Sequence, residues 1–350
     1  MTTKNMVYLA AAAAILGSLA YVTGSGSKVK TPSLAGKRIV GDLALADVAR
    51  VEIGGEDKLV LHAGENGWTI DSLYGYPADV KKIRENLLKL QELKVGQVVR
   101  GKKLDGATAV EVKDAAGKVM ASVALGDKHM SKPRGQAQQF GGGGYPDGRY
   151  VKFGDYIVLV NDALDAFDGD AKKWTDARIA SVPASEVASV SYSSPNGKLT
   201  LARKDSGWEL AGLGENEELD GSKTYSLDSA LSYLDFASVA DPKLDEKTLG
   251  FATGYVYSVT LKDGKTYTAK VGAKVGSENY FKLSASFVPA GTNVTVNAEC
   301  EKAVKEFNDR TAKWVYTIQS YSAESMCKTR SDLVKAKEAK KNEPAAKENK

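Results

Sequence analysis

Only two histidines stand in this 350-residue chain, His62 and His129, and neither sits in an HExxH pair or any repeated ligand spacing. Cys300 and Cys327 form no CxxC and have no neighbouring histidine, so the spacing of a structural zinc site is absent. No serine lies in a GxSxG elbow, and a hydrolase would have to gather His, Asp and Ser from scattered positions. The most unusual local composition is GQAQQFGGGGYPDGRY, from Gly135 to Tyr150. Glycine loops cradle phosphate when they lead from a strand into a helix; this one leads toward a strand at Tyr150 to Phe153, and no GK[ST] follows. It reads instead as a loop ordered by a partner, with Gly135, Phe140, Gly141, Gly144 and Tyr145 as its candidate contacts. Tyr74 and Tyr76, in LYGYPAD, are a second candidate contact: paired tyrosines stack on sugars or anchor interfaces, and more often cover the end of a core. No residue is assigned to catalysis, to a cofactor or to a metal.

The elements that must position these residues are organised by a repeat. Trp68 and Trp208 are 140 residues apart, as are Trp174 and Trp314. DVARVEI from Asp47 returns as EVASVSY from Glu186, and NGWTI around Trp68 returns as SGWEL around Trp208. An interval of this length matches one domain. Each copy opens with short β-branched segments, Val48 to Ile53 and Leu59 to His62 in the first, Val187 to Tyr192 and Leu199 to Ala202 in the second. A helix follows: Val80, Ile83, Leu87 and Leu90 share one face, and Leu227, Leu231 and Leu234 repeat the step in copy two. Further strands, then a short helix and the second tryptophan, close each copy. Regular βαβ alternation is missing, which disfavours a doubly wound nucleotide-binding sheet. The expectation is an α+β chain of two tandem homologous domains, 38–180 and 181–325, each an antiparallel sheet with one packed amphipathic helix.

The ends differ from this body. Met6 to Thr23 is an 18-residue apolar stretch within an uncharged run between Lys4 and Lys28, near the lower limit for spanning a bilayer. Residues 1–23 are expected to form a membrane anchor in preference to a cleaved signal peptide, with 24–37 as a flexible linker. Lys28, Lys30, Lys37 and Arg38 follow the segment and favour a cytoplasmic body by the positive-inside count, but long domains translocate largely regardless of such charges. The body is therefore expected in the periplasm. Residues 326–350 read as a charged, disordered tail: eight Lys or Arg against four Asp or Glu from Lys328 onward account for the whole net charge of +4. The near-neutral remainder offers no nucleic-acid face. Exported, Cys300 and Cys327 could form one disulfide closing a loop of about 27 residues; two buried free thiols are the even alternative.

The ordered set of Gly67-Trp68, Tyr76 to Asp79, Leu87 to Val95 and Trp174 to Arg178 behind an apolar N-terminus resembles the bacterial family catalogued as domain of unknown function 4340. Copy two departs from it, with GENEELDGSKTYS in place of the YPAD helix start and no arginine in WVYTI. The resemblance implies repeats behind a membrane segment, encoded beside ABC-type transporter subunits of the gliding-motility kind. It carries over no catalytic residue. The expected function is a non-enzymatic scaffold docking an integral membrane partner of an ABC-type complex. The alternatives are a periplasmic glycan- or peptide-binding module and, behind it, a hydrolase.

Overall fold

The computed structural model describes residues 34–54, 58–132 and 144–337. The apolar segment Met6 to Thr23, most of the linker, Gly135, Phe140 and Gly141 lie outside the described residues. The chain is a mixed α+β protein, mostly antiparallel sheet with few helices.

The first sheet is built from β1 (Val48–Ile53), β2 (Leu59–Gly64), β3 (Gly67–Ile70), β4 (Tyr76–Pro77), β5 (Gln97–Val99), β6 (Thr108–Asp114), β7 (Val119–Met130), β8 (Pro146–Phe153) and β9 (Tyr156–Val160). Its order is β4-β3-β2-β1-β6-β7-β8-β9-β5. The helix α1 (Val80–Glu92) begins where expected. The Asp79 carboxylate accepts hydrogen bonds from the amides of Lys81 (2.8 Å) and Lys82 (3.3 Å), two donors with no partner inside the helix. Ile83, Leu87 and Leu90 are buried, whereas Val80, in the exposed first turn, is not.

The second sheet uses β11 (Val187–Ser194), β12 (Gly197–Lys204), β13 (Gly207–Leu210), β16 (Ser238–Val239), β17 (Tyr255–Leu261), β18 (Lys265–Val275), β19 (Glu278–Phe287) and β20 (Tyr316–Gln319), in the order β13-β12-β11-β17-β18-β19-β20-β16. Without β4, the two orders correspond strand for strand. The registers correspond as well. Val51 faces Leu61 and Val112, and Leu61 faces Ile70; in the second sheet Val190 faces Leu201 and Val259, and Leu201 faces Leu210. All eight of these side chains are buried. Irregularities recur at matching places, between Val48 and Arg50 and between Val187 and Ser189, then between Leu125 and Lys128 and between Val271 and Lys274. Trp68 and Trp208 each occupy the second position of a four-residue strand, facing Ala63 and Arg203.

Other expectations are corrected. The second copy has no counterpart of α1: Leu227 and Leu231 are buried, but they lie in successive turns, and Leu234 belongs to β15 (Leu234–Asp235). The bonds there run from i+3 to i, as from the Ser229 amide to the Ser226 carbonyl, and the Ser229 hydroxyl donates to that same carbonyl. Serine and aspartate compete for the backbone in this way and weaken an α-helix. The strand filling the last-but-one place is also reached differently. A tight turn at Gly154 joins β8 to β9, whereas the 18-residue helix α3 (Val294–Thr311), after the four-residue α2 (Glu246–Leu249), separates β19 from β20. Consequently Trp174 and Trp314 are not equivalent. Trp174 is fully buried and donates its indole N–H to the Ala166 carbonyl, while Trp314 is half-buried just before β20.

The tail expected from residue 326 joins the fold at its start. After α4 (Ser320–Met326) come α5 (Arg330–Leu333) and β21 (Val334–Ala336), which pairs with β14 (Glu217–Leu219). Opposite charges meet there: Arg330 pairs with Glu217, and the Lys335 ammonium lies 3.1 Å from Glu218. A two-residue contact between β10 (Arg178–Ala180) and β15 completes the pairing.

The described residues fall into two compact units. One holds the described chain up to Leu43 with Leu88–Ala109 and Ala121–Leu164. In it Arg149, buried on β8, donates to the carbonyls of Gly126 (2.9 Å) and Leu164 (3.2 Å). The other holds Ala44–Leu87, Val110–Met120 and the described chain from Asp165. Its parts are joined by the Tyr76 ring, buried between Phe236 (5.1 Å) and Trp314 (5.0 Å), with Tyr316 6.1 Å away. Among the described residues no helix is long and apolar enough to cross a membrane.

Candidate functional site

The glycine-rich run falls between β7 and β8 in the sequence, and the structure describes it from Gly144 onward. In the second sheet the matching strands β18 and β19 are joined by Gly276 and Ser277 alone. The base of the hairpin loop is closed by Ser131 and Tyr145: the Ser131 amide and hydroxyl both donate to the Tyr145 carbonyl at 2.9 Å, and the Tyr145 amide donates to the Ser131 hydroxyl at 3.1 Å. A Cβ at Gly144 would fall 1.6 Å from the Ser131 carbonyl oxygen, so the closure requires glycine there. The Tyr145 ring is exposed. One rung below, His129 Nδ1 lies 2.5 Å from Asp147 Oδ1, and the Lys102 ammonium sits 4.2 Å above the Tyr150 ring.

A second polar group assembles on β2 and β3. His62 Nε2 is 3.2 Å from the Thr69 hydroxyl, and His62 Nδ1 is 2.7 Å from Asp71 Oδ1. Aspartate, histidine and hydroxyl in this order are the parts of a nucleophile-activating relay. Two features weigh against chemistry here. The Nδ1 to Asp71 contact is off the hydrogen-bond axis, and His62 and Asp71 side chains are each about 40% exposed, at 41% and 44%. The sequence reading missed this cluster, although a signal was present. The two-residue turn Glu65-Asn66 sets the register of the hairpin and puts His62 opposite Thr69.

The tyrosine pair separates. Tyr74 takes a left-handed backbone (φ 55°) and is exposed, while Tyr76 is buried in the aromatic cluster. Beside Tyr76 is a cleft of about 270 Å³ lined by Asp79, Thr175, Asp176, Arg310 and Lys313 among others. Its strongest groups are already engaged. Arg310 donates to the carbonyls of Arg178 (2.8 Å) and Ile179 (3.2 Å), Asp79 caps α1, and the Thr175 hydroxyl donates to the Pro77 carbonyl at 2.6 Å. A wider cleft of about 530 Å³ balances Lys82, Lys172 and Lys173 against Glu85, Asp170 and Asp235. An apolar one of about 430 Å³ is lined by Val48, Trp68, Val80, Ile83 and Leu87.

Glu52 is the most perturbed carboxylate. Buried on β1, it meets Lys58 (2.8 Å), Arg50 (2.7 Å) and Lys113 (3.0 Å), and hydrogen bonds from the first two lower its pKa to about 2. With three cations around one carboxylate and no cleft beside it in the regions above, it is a structural anchor of the strands. Cys300 and Cys327 both carry free thiols in this structure. Cys300 is buried on α3 and Cys327 ends α4; burial pushes the Cys327 thiol up to about 11. Among the described residues no group of three or more His, Cys, Asp or Glu could hold a metal ion.

The antiparallel α+β architecture defines a structural class. The family comparison is specific: the chain belongs to the DUF4340 family, a domain of unknown function whose model matches residues 68–253, over half of its length. No curated protein and no solved structure matches it.

Proposed function

We propose that the body is two homologous α+β domains in tandem, about 38–180 and 181–325, serving as a non-enzymatic scaffold. In this reading Met6 to Thr23 anchors it in the inner membrane, the body lies in the periplasm, and it acts as an accessory component of an ABC-type transport assembly. The matched strand order, registers and bulges of the two sheets support the duplication. The observation that carries the scaffold reading is the hairpin of β7 and β8. Its closed, glycine-dependent base lies where the matching hairpin has a two-residue turn, and the sequence has eleven more residues, 133–143, between Lys132 and Gly144. Surface loops carried on a rigid scaffold are common places for recognition.

Two measurements test this. Protease added to intact spheroplasts should digest the body; digestion only after lysis would place it in the cytoplasm. A photo-crosslinking residue at Tyr145 should capture an integral membrane protein, and crosslinks to soluble proteins alone would remove the docking assignment.

A hydrolytic reading has one observation behind it, the Thr69, His62 and Asp71 cluster. It requires that an electrophilic probe label Thr69 and that His62→Ala abolish the labelling; equal labelling in both proteins dismisses it.

A further inference from the structure

We propose that the segment Val288 to Val296 of the second sheet's end seats its valines in the interfacial layer of a lipid bilayer. This rests on the membrane-anchored reading above. The segment, VPAGTNVTV, contains no charged residue, and all nine of its residues are exposed. Val288 is 71% and Val294 80% exposed, among the least covered apolar side chains described, and Val296 is 44% exposed. A run of this kind in contact with water normally marks a surface made to be covered.

The local geometry suits lipid. Apolar surroundings penalise unpaired backbone groups, and this segment satisfies several of its own. The Val288 amide donates to the Gly264 carbonyl, the Asn293 side chain accepts from the Val296 amide at 3.2 Å, and the Asn297 side chain donates to the Gly291 carbonyl at 3.1 Å. Val294 and Val296 are thereby fixed in the first turn of α3 and directed outward rather than collapsed onto the sheet. Charge limits the depth. Glu299 and Glu301 are exposed one turn further along α3, while Lys302 and Lys305 pair with Glu306 and Asp309. Only the segment and the first turn can enter, which is the shallow placement of interfacial elements.

What selects lipid over a protein partner is the length of chain before the body. Ten residues separate Thr23 from Leu34, the first described residue, and fully extended they reach about 35 Å. A body held that close to the bilayer meets lipid at high local concentration, so a small apolar contact suffices.

The test uses the full chain in vesicles of phosphatidylcholine and phosphatidylglycerol, with Cys300→Ser and Cys327→Ser. An environment-sensitive fluorophore is placed on Val294→Cys or, as a control, on Tyr225→Cys, which is 84% exposed. Spin-labelled lipid should quench most of the emission at position 294 and little at 225. Chain that resists carbonate extraction but leaves position 294 unquenched would overturn the insertion and leave the anchor standing. Chain washed off by carbonate would overturn both. A spectral shift at 294 that follows protein concentration in lipid-free detergent would assign the surface to a second copy instead.

Discussion

Replacing Glu52 by Gln keeps the shape of a buried side chain and removes its charge, leaving Lys58, Arg50 and Lys113 without their shared partner. The carboxylate falls from 4.5 to about 2 on folding, a difference of about 2.5 pKa units. At 1.36 kcal/mol per unit that linkage amounts to about 3 kcal/mol. The Arg50 and Lys58 side chains are 39% and 47% exposed, so solvent screens part of the attraction and the expected loss is about 2 kcal/mol at pH 7. The sign follows from the lowered value. The contribution is complete above pH 4.5 and disappears as pH falls through that value toward 2. Urea denaturation of the detergent-solubilised chain, followed at several pH values from 7 to 2, gives both quantities. The Glu52→Gln deficit should be present at pH 7 and shrink steadily below pH 4.5. A deficit that persists unchanged at pH 2, or none at pH 7, would show that the ion cluster does not hold the strands.

Tyr76→Ala should cost about 3–5 kcal/mol, because it empties a site between Phe236 and Trp314 that other side chains cannot close, and a thermal melt should register the drop. Gly144→Ala should open the hairpin base, since the new Cβ meets the Ser131 carbonyl, and lower stability by about 1–3 kcal/mol; hydrogen exchange should quicken at the Tyr145 amide. Thr69→Val should leave the fold intact, with a melting temperature close to that of the parent, because Thr69 is only half-buried and its hydroxyl bonds a histidine that is itself half-buried.

Much of the sheet was legible because its residues carry local signals. Val48 to Ile53 alternates enough to mark β1, and Asp79 before an apolar stripe marks the start of α1. Trp68 and Trp208, 140 residues apart, occupy matching strand positions, as their shared sequence context leads one to expect. The failures have physical causes. Leu227, Leu231 and Leu234 have helical spacing, but the Ser229 hydroxyl between them bonds the Ser226 carbonyl and holds a turn. The length of α3 was hidden because its first residues, Val294, Thr295 and Val296, are β-branched and resemble a strand, although Asn293 is an N-cap signal. The fate of Tyr76 depends on Phe236, Trp314 and Tyr316, far away in sequence, and no local pattern announces them. The charged C-terminus looked unable to fold because its partners, Glu217 and Glu218, are more than a hundred residues upstream.

The central claim is that the body docks an integral membrane partner through the hairpin loop of β7 and β8. It is tested most directly by affinity purification of the full chain from detergent extracts, beside a chain in which residues 133–143 are replaced by two residues, leaving the Ser131 and Tyr145 base and all of β8 in place. The intact chain should recover a membrane subunit of a transport complex, and the shortened chain should lose it while keeping its melting temperature. Recovery of no membrane protein by the intact chain would contradict the scaffold account itself.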